Sequence, residues 1–281
     1  MTNILEVSDL RIWDNDTGRV IVPGSSFQVK QGSCLAIVGE SGSGKSVTCR
    51  AIMRLNKASI RQSGDILFNG INVAELPEQA MRKLRGRRLC MILQHGMRAF
   101  DPSRAIGVHV RETLKQHYGW SRSESEANMV LAMESVMLKN PAAILNQYPH
   151  QLSGGMLQRI MIALAIVLEP DMIIADEPTT ALDTISQFEV VEQLAQLRDR
   201  LGCSMILVSH DLGIVRKLAD EVVVMKTGEI VERGATEAIF SEARHEYTRY
   251  LVSSKLALDQ HFKRIMGGVG VAQRGSRGQV V

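Results

Sequence analysis

The run Gly39-Glu40-Ser41-Gly42-Ser43-Gly44-Lys45-Ser46 constrains this chain more than any other stretch. Before it stands Cys34-Leu35-Ala36-Ile37-Val38, a short apolar run with a β-branched end, which reads as a buried parallel strand. After it, Val47 to Leu55 reads as a helix. Strand, glycine-rich loop and helix form the context in which G-x-x-x-x-G-K-S cradles phosphate; a chance Gly/Ser turn would lack that context. Gly39, Gly42 and Gly44 let the backbone turn tightly, so that successive N–H groups point at one anion. The helix N-terminus adds positive potential. Lys45 can reach the β- and γ-phosphates and the Ser46 hydroxyl can ligate Mg²⁺. Glu40, Ser41, Ser43 and Val47 complete the stretch expected to wrap the nucleotide.

A second apolar run, Met172 to Ala175, ends in Asp176-Glu177. Carboxylates at the C-terminal end of a parallel strand stand where α/β folds place ligands. Asp176 suits a Mg²⁺ contact, and Glu177, one residue on, points differently and can hold an attacking water as general base. Pro178 stops the strand. On its own such a pair could be a solvated strand end; the phosphate loop upstream favours chemistry. A third run, Met205 to Val208, ends in Ser209-His210-Asp211, where His210 could bond a γ-phosphate or orient Glu177, although a lone histidine is more often a structural hydrogen-bonder.

Leu152-Ser153-Gly154-Gly155-Met156 adds a further motif. Its two glycines free the backbone for close approach, and Met156-Leu157-Gln158-Arg159 begins a helix whose N-terminus would face an anion. Ser153 is also a natural N-cap, and the two roles are compatible. In this order the motifs resemble those of the ATP-binding subunits of ABC transporters, and the likeness covers nearly the whole chain. The resemblance implies an α/β, P-loop NTPase fold of the ABC type: a mostly parallel core sheet, an antiparallel β-subdomain and an inserted helical subdomain at about residues 96–165. It implies ATP and Mg²⁺ as cofactors. Ser153, Gly154 and Gly155 look like the signature that closes over the ATP of the opposite subunit, with Met156 where Gln is commonest. Gln94, at the end of Leu89-Cys90-Met91-Ile92-Leu93, is similar to the Q-loop glutamine that senses Mg²⁺ and water. Ala181-Leu182-Asp183 resembles the D-loop and His210 the switch histidine. Trp13 lies near the usual place of the adenine-stacking aromatic; packing within the core or a hairpin is the alternative.

Within the family the chain looks most like the nickel and peptide importers, on Arg85-Gly86-Arg87-Arg88-Leu89, Phe100-Asp101-Pro102, the signature helix and Tyr247-Thr248-Arg249. Leu251 to Leu258 resembles the nickel type, and a long cysteine-bearing C-terminal extension of the peptide type is lacking. His95-Gly96 stands in place of the usual Asp-Pro, and Glu246 where Pro is common, which bears on coupling to membrane subunits. The resemblance implies, as partners, a second ABC ATPase subunit (a sister chain or a second copy), two transmembrane permease subunits and an extracytoplasmic substrate-binding protein, with the chain peripheral on the cytoplasmic face of the membrane.

The remaining features set bounds. A net charge of +3 over 281 residues is too small for the concentrated basic face of a nucleic-acid binder. The dense group Arg82, Lys83, Arg85, Arg87 and Arg88 reads as a solvated helix end. Cys34, Cys49, Cys90 and Cys203 lack ligand spacing and read as small buried groups in a reducing compartment. Met1 to Val7 lacks the basic start and apolar run of a secretory signal. The longest apolar stretch, Ile160 to Leu168, falls short of the ~20 residues that span a bilayer.

Further elements are expected as antiparallel strands over Ile4–Trp13 and Ser26–Val29, a strand over Gly64–Gly70, a helix over Pro77–Leu84, and a helix-period region Ala105–Leu145 interrupted at Pro141. Thr184–Leu201 should be an amphipathic helix with Ile185, Phe188, Val191, Leu194, Leu197 and Leu201 as a core stripe. A hairpin over Glu221–Val231 and two short helices, Glu237–Ser241 and Glu246–Leu258, close the domain of residues 1–258. The glycine-rich tail, 259–281, is expected to be disordered from about 267.

Overall fold

The computed structural model describes residues 2–94, 96–180 and 182–254. His95, Ala181, the second half of the Leu251–Leu258 resemblance (255–258) and the whole tail of 259–281 lie outside the described residues.

Chain order begins with a β-subdomain: β1 (Asn3–Asp14), β2 (Val20–Lys30), β4 (Ile60–Phe68) and β5 (Ile71–Asn72) form an antiparallel sheet in the order β2-β1-β4-β5. Between β2 and β4 come β3 (Cys34–Val38) and α1 (Lys45–Ile52). After β5 follow α2 (Glu78–Leu84) and β6 (Leu89–Ile92), then a helical stretch: a 3-10 turn at Gly96–Ala99, α3 (Ile106–Tyr118), α4 (Arg122–Ser135), α5 (Pro141–Ile144) and α6 (Gly154–Leu168). The chain returns through β7 (Met172–Asp176), α7 (Thr184–Leu201), β8 (Ser204–Val208), α8 (Leu212–Leu218), β9 (Glu221–Lys226), β10 (Glu229–Ala235) and α9 (Thr236–Ser241), and residues 246–254 are helical.

The core sheet has the order β10-β9-β3-β8-β7-β6; all its pairings are parallel except β9 with β10. Every residue of β3, β7 and β8 is buried, which is why these strands are continuous apolar runs rather than alternating ones. The two-residue period divides their side chains between faces. Cys34, Ile173, Ala175, Met205 and Leu207 pack with α6, α7 and the helical stretch. Leu35, Ile37, Met172, Ile174, Ile206 and Val208 pack with α1 and the antiparallel sheet. Ala36, Val38, Val222 and Val224 meet α8, α9 and the last helix through Leu212, Val215, Ile239, Tyr247 and Leu251.

Several expectations need correcting. β2 starts at Val20, six residues before the expected Ser26, because Pro23 and Gly24 are tolerated on this edge strand. β4 starts at Ile60, and Gly64 sits mid-strand at φ 97°, where an added Cβ would lie 2.5 Å from the Asp9 carbonyl oxygen. That approach marks the register irregularity between Ser8 and Arg11. Pro141 does not interrupt a helix; it occupies the first turn of α5, where its missing N–H costs nothing. The breaks fall at Gly119, φ 72°, and after Val136, while a Ser121–Glu124 capping box starts α4. In α7, Ile185 and Phe188 are 74% and 64% exposed, so the buried stripe is Val190, Val191, Leu194 and Leu197. The first turns of α7 reach past the core, and Lys217 Nζ lies 4.8 Å over the Phe188 ring.

Candidate nucleotide site

At the C-terminal ends of β3, β7 and β8 a cavity of about 650 Å³ opens beside the phosphate loop. The loop turns through Gly39, Gly42 and Gly44 at φ 152°, 82° and 101°. Gly39 must be glycine: a Cβ there would lie 2.1 Å from the Met225 carbonyl oxygen. Lys45 is 5% exposed, and its ammonium donates to the carbonyls of Gly39 at 2.9 Å and Glu40 at 2.8 Å. Burial pushes its pKa below the ordinary 10.5, with Glu177 and Asp176 pulling the other way. An ammonium held in a glycine-rich loop by two carbonyls and, at 3.5 Å, the Ser43 hydroxyl is a ready partner for phosphate.

Asp176 ends β7 fully buried. Its Oδ1 accepts from Ser46 Oγ at 2.7 Å; its Oδ2 is buried with no hydrogen-bond partner, and Arg50 Nη2 is 3.9 Å away. Burial pushes the Asp176 pKa up from 3.8, opposed by Ser46 and Arg50. An orphaned carboxylate oxygen beside a hydroxyl is a hard-oxygen donor set that fits Mg²⁺ once phosphate oxygens and water complete the shell. Among the described residues there is no cluster of three or more His, Cys, Asp or Glu to hold a metal without them.

Glu177 turns the chain at φ 48°. Its Oε2 accepts from Gln94 Nε2 at 2.9 Å and Thr180 Oγ1 at 2.9 Å, and His210 Nδ1 lies 3.5 Å away. Glu177, Gln94 and His210 all line the cavity with Gly39, Glu40, Ser41, Gly42, Gly44, Lys45, Ser46 and Val47. Ser43 is buried behind them, within 3.5 Å of the Lys45 ammonium. Sequence reasoning passed over Arg50, Thr180, Ile21 and Leu251, of which all but Thr180 line the same cavity; a second threonine after Pro178 was the available signal for Thr180.

Trp13 is not among the lining residues. It stands on β1 between Val20 and Arg61, and Ile21 faces the cavity instead.

Ser153, Gly154 and Gly155 also stand apart from this cavity, with Ser153 and Gly154 exposed. Ser153 caps α6, its Oγ accepting from the Met156 N–H at 3.2 Å. A Cβ on Gly155 would lie 2.9 Å from Ser186 Oγ, so the residues after Asp183 pack on this turn. The same helix is tied to the cavity: buried Gln158 donates to the Leu93 carbonyl at 3.2 Å, one residue before Gln94. A Cβ on Gly96 would meet Leu157 at 2.7 Å, which explains the glycine after His95.

A strand–loop–helix phosphate cradle with an Asp-Glu pair at the end of a parallel strand two places along the same sheet defines a P-loop ATPase. The chain belongs to the ABC transporter family, whose profile matches residues 22–180, and is accordingly an ATP-hydrolysing enzyme. It is 45% identical over 265 residues to the metal-staphylopine import system ATP-binding protein CntD of Staphylococcus aureus (strain NCTC 8325 / PS 47), covering 94% of this chain and 98% of that one. It is 40% identical to the dipeptide transport ATP-binding protein DppD of Lactococcus lactis, over 94% of this chain and 76% of that one. Among solved structures it shares its fold with a dimeric ATP-binding cassette, MJ0796, bound to ADP and Pi after hydrolysis (TM-score 0.73, 24% identity, 83% of this chain and 98% of that one).

Proposed function

We propose that this chain is the ATPase subunit of an importer, that it acts in a pair of cassettes, and that the cargo is a metal in a small organic chelate, nickel foremost. The observation that carries the pairing is the separation within one chain: Lys45, Ser46 and Glu177 line the cavity, with Asp176 bonded to Ser46 behind them, while Ser153 and Gly154 present an exposed, capped helix start elsewhere. A second subunit's signature would close the first subunit's site.

In that reading the loop amides and Lys45 bind and orient the phosphates. Ser46, Asp176 and Gln94 would hold Mg²⁺, which when bound neutralises phosphate charge. Glu177 holds the attacking water and takes its proton at Oε1, with Gln94, Thr180 and His210 fixing the carboxylate through Oε2. Ser153, Gly154 and Gly155 act on the partner's nucleotide, and Trp13 remains a candidate to stack on adenine if β1 and β2 move on binding. Transport is done by two permease subunits fed by an extracytoplasmic binding protein. No helix among the described residues is long and apolar enough to cross a membrane, so docking on the permeases would hold the chain at the cytoplasmic face.

The metal-staphylopine relative supports the chelate reading because it aligns over nearly its full length. Dipeptide or oligopeptide import is the second reading, supported by 40% identity to peptide relatives over more than nine-tenths of this chain. Deleting the gene tests the cargo. Cellular nickel and nickel-enzyme activity should fall, with rescue by excess nickel salt. Normal nickel together with lost growth on peptides would sink the chelate reading in favour of peptides. For the pairing, Lys45→Ala and Ser153→Arg chains should each be inactive, and mixing them should restore phosphate release at one composite site of the self-associated chain. Full activity in a strictly monomeric preparation would refute it.

A further inference from the structure

We infer that the helical segment 246–254 is a working part of the nucleotide site and that Tyr247 is a positioning residue for the phosphate loop. Tyr247 is 6% exposed, and its hydroxyl oxygen accepts a hydrogen bond from the Glu40 N–H at 3.0 Å. The Glu40 carbonyl accepts from the Lys45 ammonium at 2.8 Å. Both backbone polar groups of this loop residue are therefore held, one by the last helix and one by the lysine that meets phosphate. Leu251, one turn beyond Tyr247, lines the nucleotide cavity itself.

The helix is not loosely laid there. Glu232 on β10 accepts from the N–H groups of Arg244 at 2.7 Å and His245 at 3.1 Å. His245 Nδ1 in turn accepts from the Tyr247 N–H at 3.1 Å, and Thr248 is fully buried. Lys226 at the end of β9 places its ammonium 5.1 Å over the Tyr247 ring, next to Met225, whose carbonyl blocks any side chain at Gly39. The Gly228 N–H donates to the Ser43 carbonyl at 3.0 Å. The loop is thus braced from outside by β9, the β9–β10 turn and the last helix, all beyond the residues that the family profile covers. A loop held in its binding shape loses less conformational freedom when ATP arrives, so the brace raises affinity rather than the rate of the chemical step.

The inference rests on the cavity being the ATP site, and the experiment separates the two. The full chain carrying Tyr247→Phe, Glu232→Gln or Lys45→Ala is titrated with a fluorescent methylanthraniloyl-ATP, and ATPase kinetics and melting are measured alongside. Tyr247→Phe should raise Kd and KM together by about 2- to 10-fold, the worth of one hydrogen bond, with kcat within about twofold. Glu232→Gln, remote from nucleotide, should shift Kd in the same direction. An unchanged Kd in either folded variant, whatever happens to its melting temperature, overturns the positioning role and leaves Tyr247 as packing. Undiminished binding in Lys45→Ala overturns the site itself.

Discussion

Replacing Glu177 by Gln isolates the proton-accepting step. The carboxylate Oε2 is the acceptor for Gln94 Nε2 and Thr180 Oγ1, both at 2.9 Å, and a glutamine carbonyl oxygen can accept the same bonds. The backbone at φ 48° is left-handed for either residue, a conformation costing about 1–2 kcal/mol in both, so the fold gains and loses nothing by the swap. Glu177 acts on the Lys45 ammonium through its charge but is not among its hydrogen-bond partners, which include the Gly39 and Glu40 carbonyls. What vanishes is the base. General-base removal costs roughly 10²–10⁴ in rate, or about 3–5 kcal/mol of barrier at about 1.4 kcal/mol per tenfold. Steady-state phosphate release should therefore fall by at least two orders of magnitude, while nucleotide Kd and melting temperature stay near those of the unaltered chain. Hydrolysis at the original rate would remove Glu177 from the chemistry; a fall in rate matched by an equal loss of ATP affinity would mean that it acts in binding instead.

Two further outcomes follow from single contacts. Gly228→Ala puts a Cβ 2.1 Å from the Ile21 carbonyl oxygen at φ 88°, beside the donor that braces Ser43, and should cost about 2–4 kcal/mol, seen as a melting point lower by roughly 5–15 °C; an unchanged melt would mean that the turn shifts freely. For Glu221, the hydrogen bond from Lys30, aided by Arg233, holds the carboxyl below its ordinary 4.5. A depressed carboxyl stabilises the fold above its ordinary pKa, and that contribution is lost as pH falls through the lowered value. Glu221→Gln should thus destabilise the fold at pH 7 by under about 1 kcal/mol, because Lys30 is partly exposed, and the resulting gap in melting point should close on acidifying past the lowered value. An equal gap at both ends of the titration would assign the effect to packing.

The chemistry proposed for this chain is legible wherever it is written in consecutive residues. The phosphate loop declares itself because the strand, the glycines and the lysine are adjacent. Asp176 and Glu177 declare themselves because β7 is buried along its whole length and must end where they stand. The limits of α7, Thr184 and Leu201, could be read from its pattern; the structure shows the Asp183 cap and the left-handed Gly202 that set them. Burial along that helix was misjudged at Ile185 and Phe188, since periodicity states which residues share a face but not how far the neighbouring core extends. β2 and Pro141 were misread for a related reason: proline and glycine are punctuation only until an edge strand or a helix start absorbs them.

Relations between distant residues belonged to the tertiary structure alone. Gln94 and Glu177 are 83 residues apart and Tyr247 and Glu40 are 207 apart, and nothing local announces either hydrogen bond. Ser153 and Lys45 are both readable as motifs, yet the distance between them within one chain, on which the proposed pairing rests, exists only in the packed fold. Local sequence determines torsions, caps and which face is apolar, because those depend on neighbours a few bonds or one turn away. Which strand ends meet, and which late helix braces an early loop, depends on the strand order of a sheet assembled from four separate strands of the chain and its closing hairpin, and that order exists only after the core has packed.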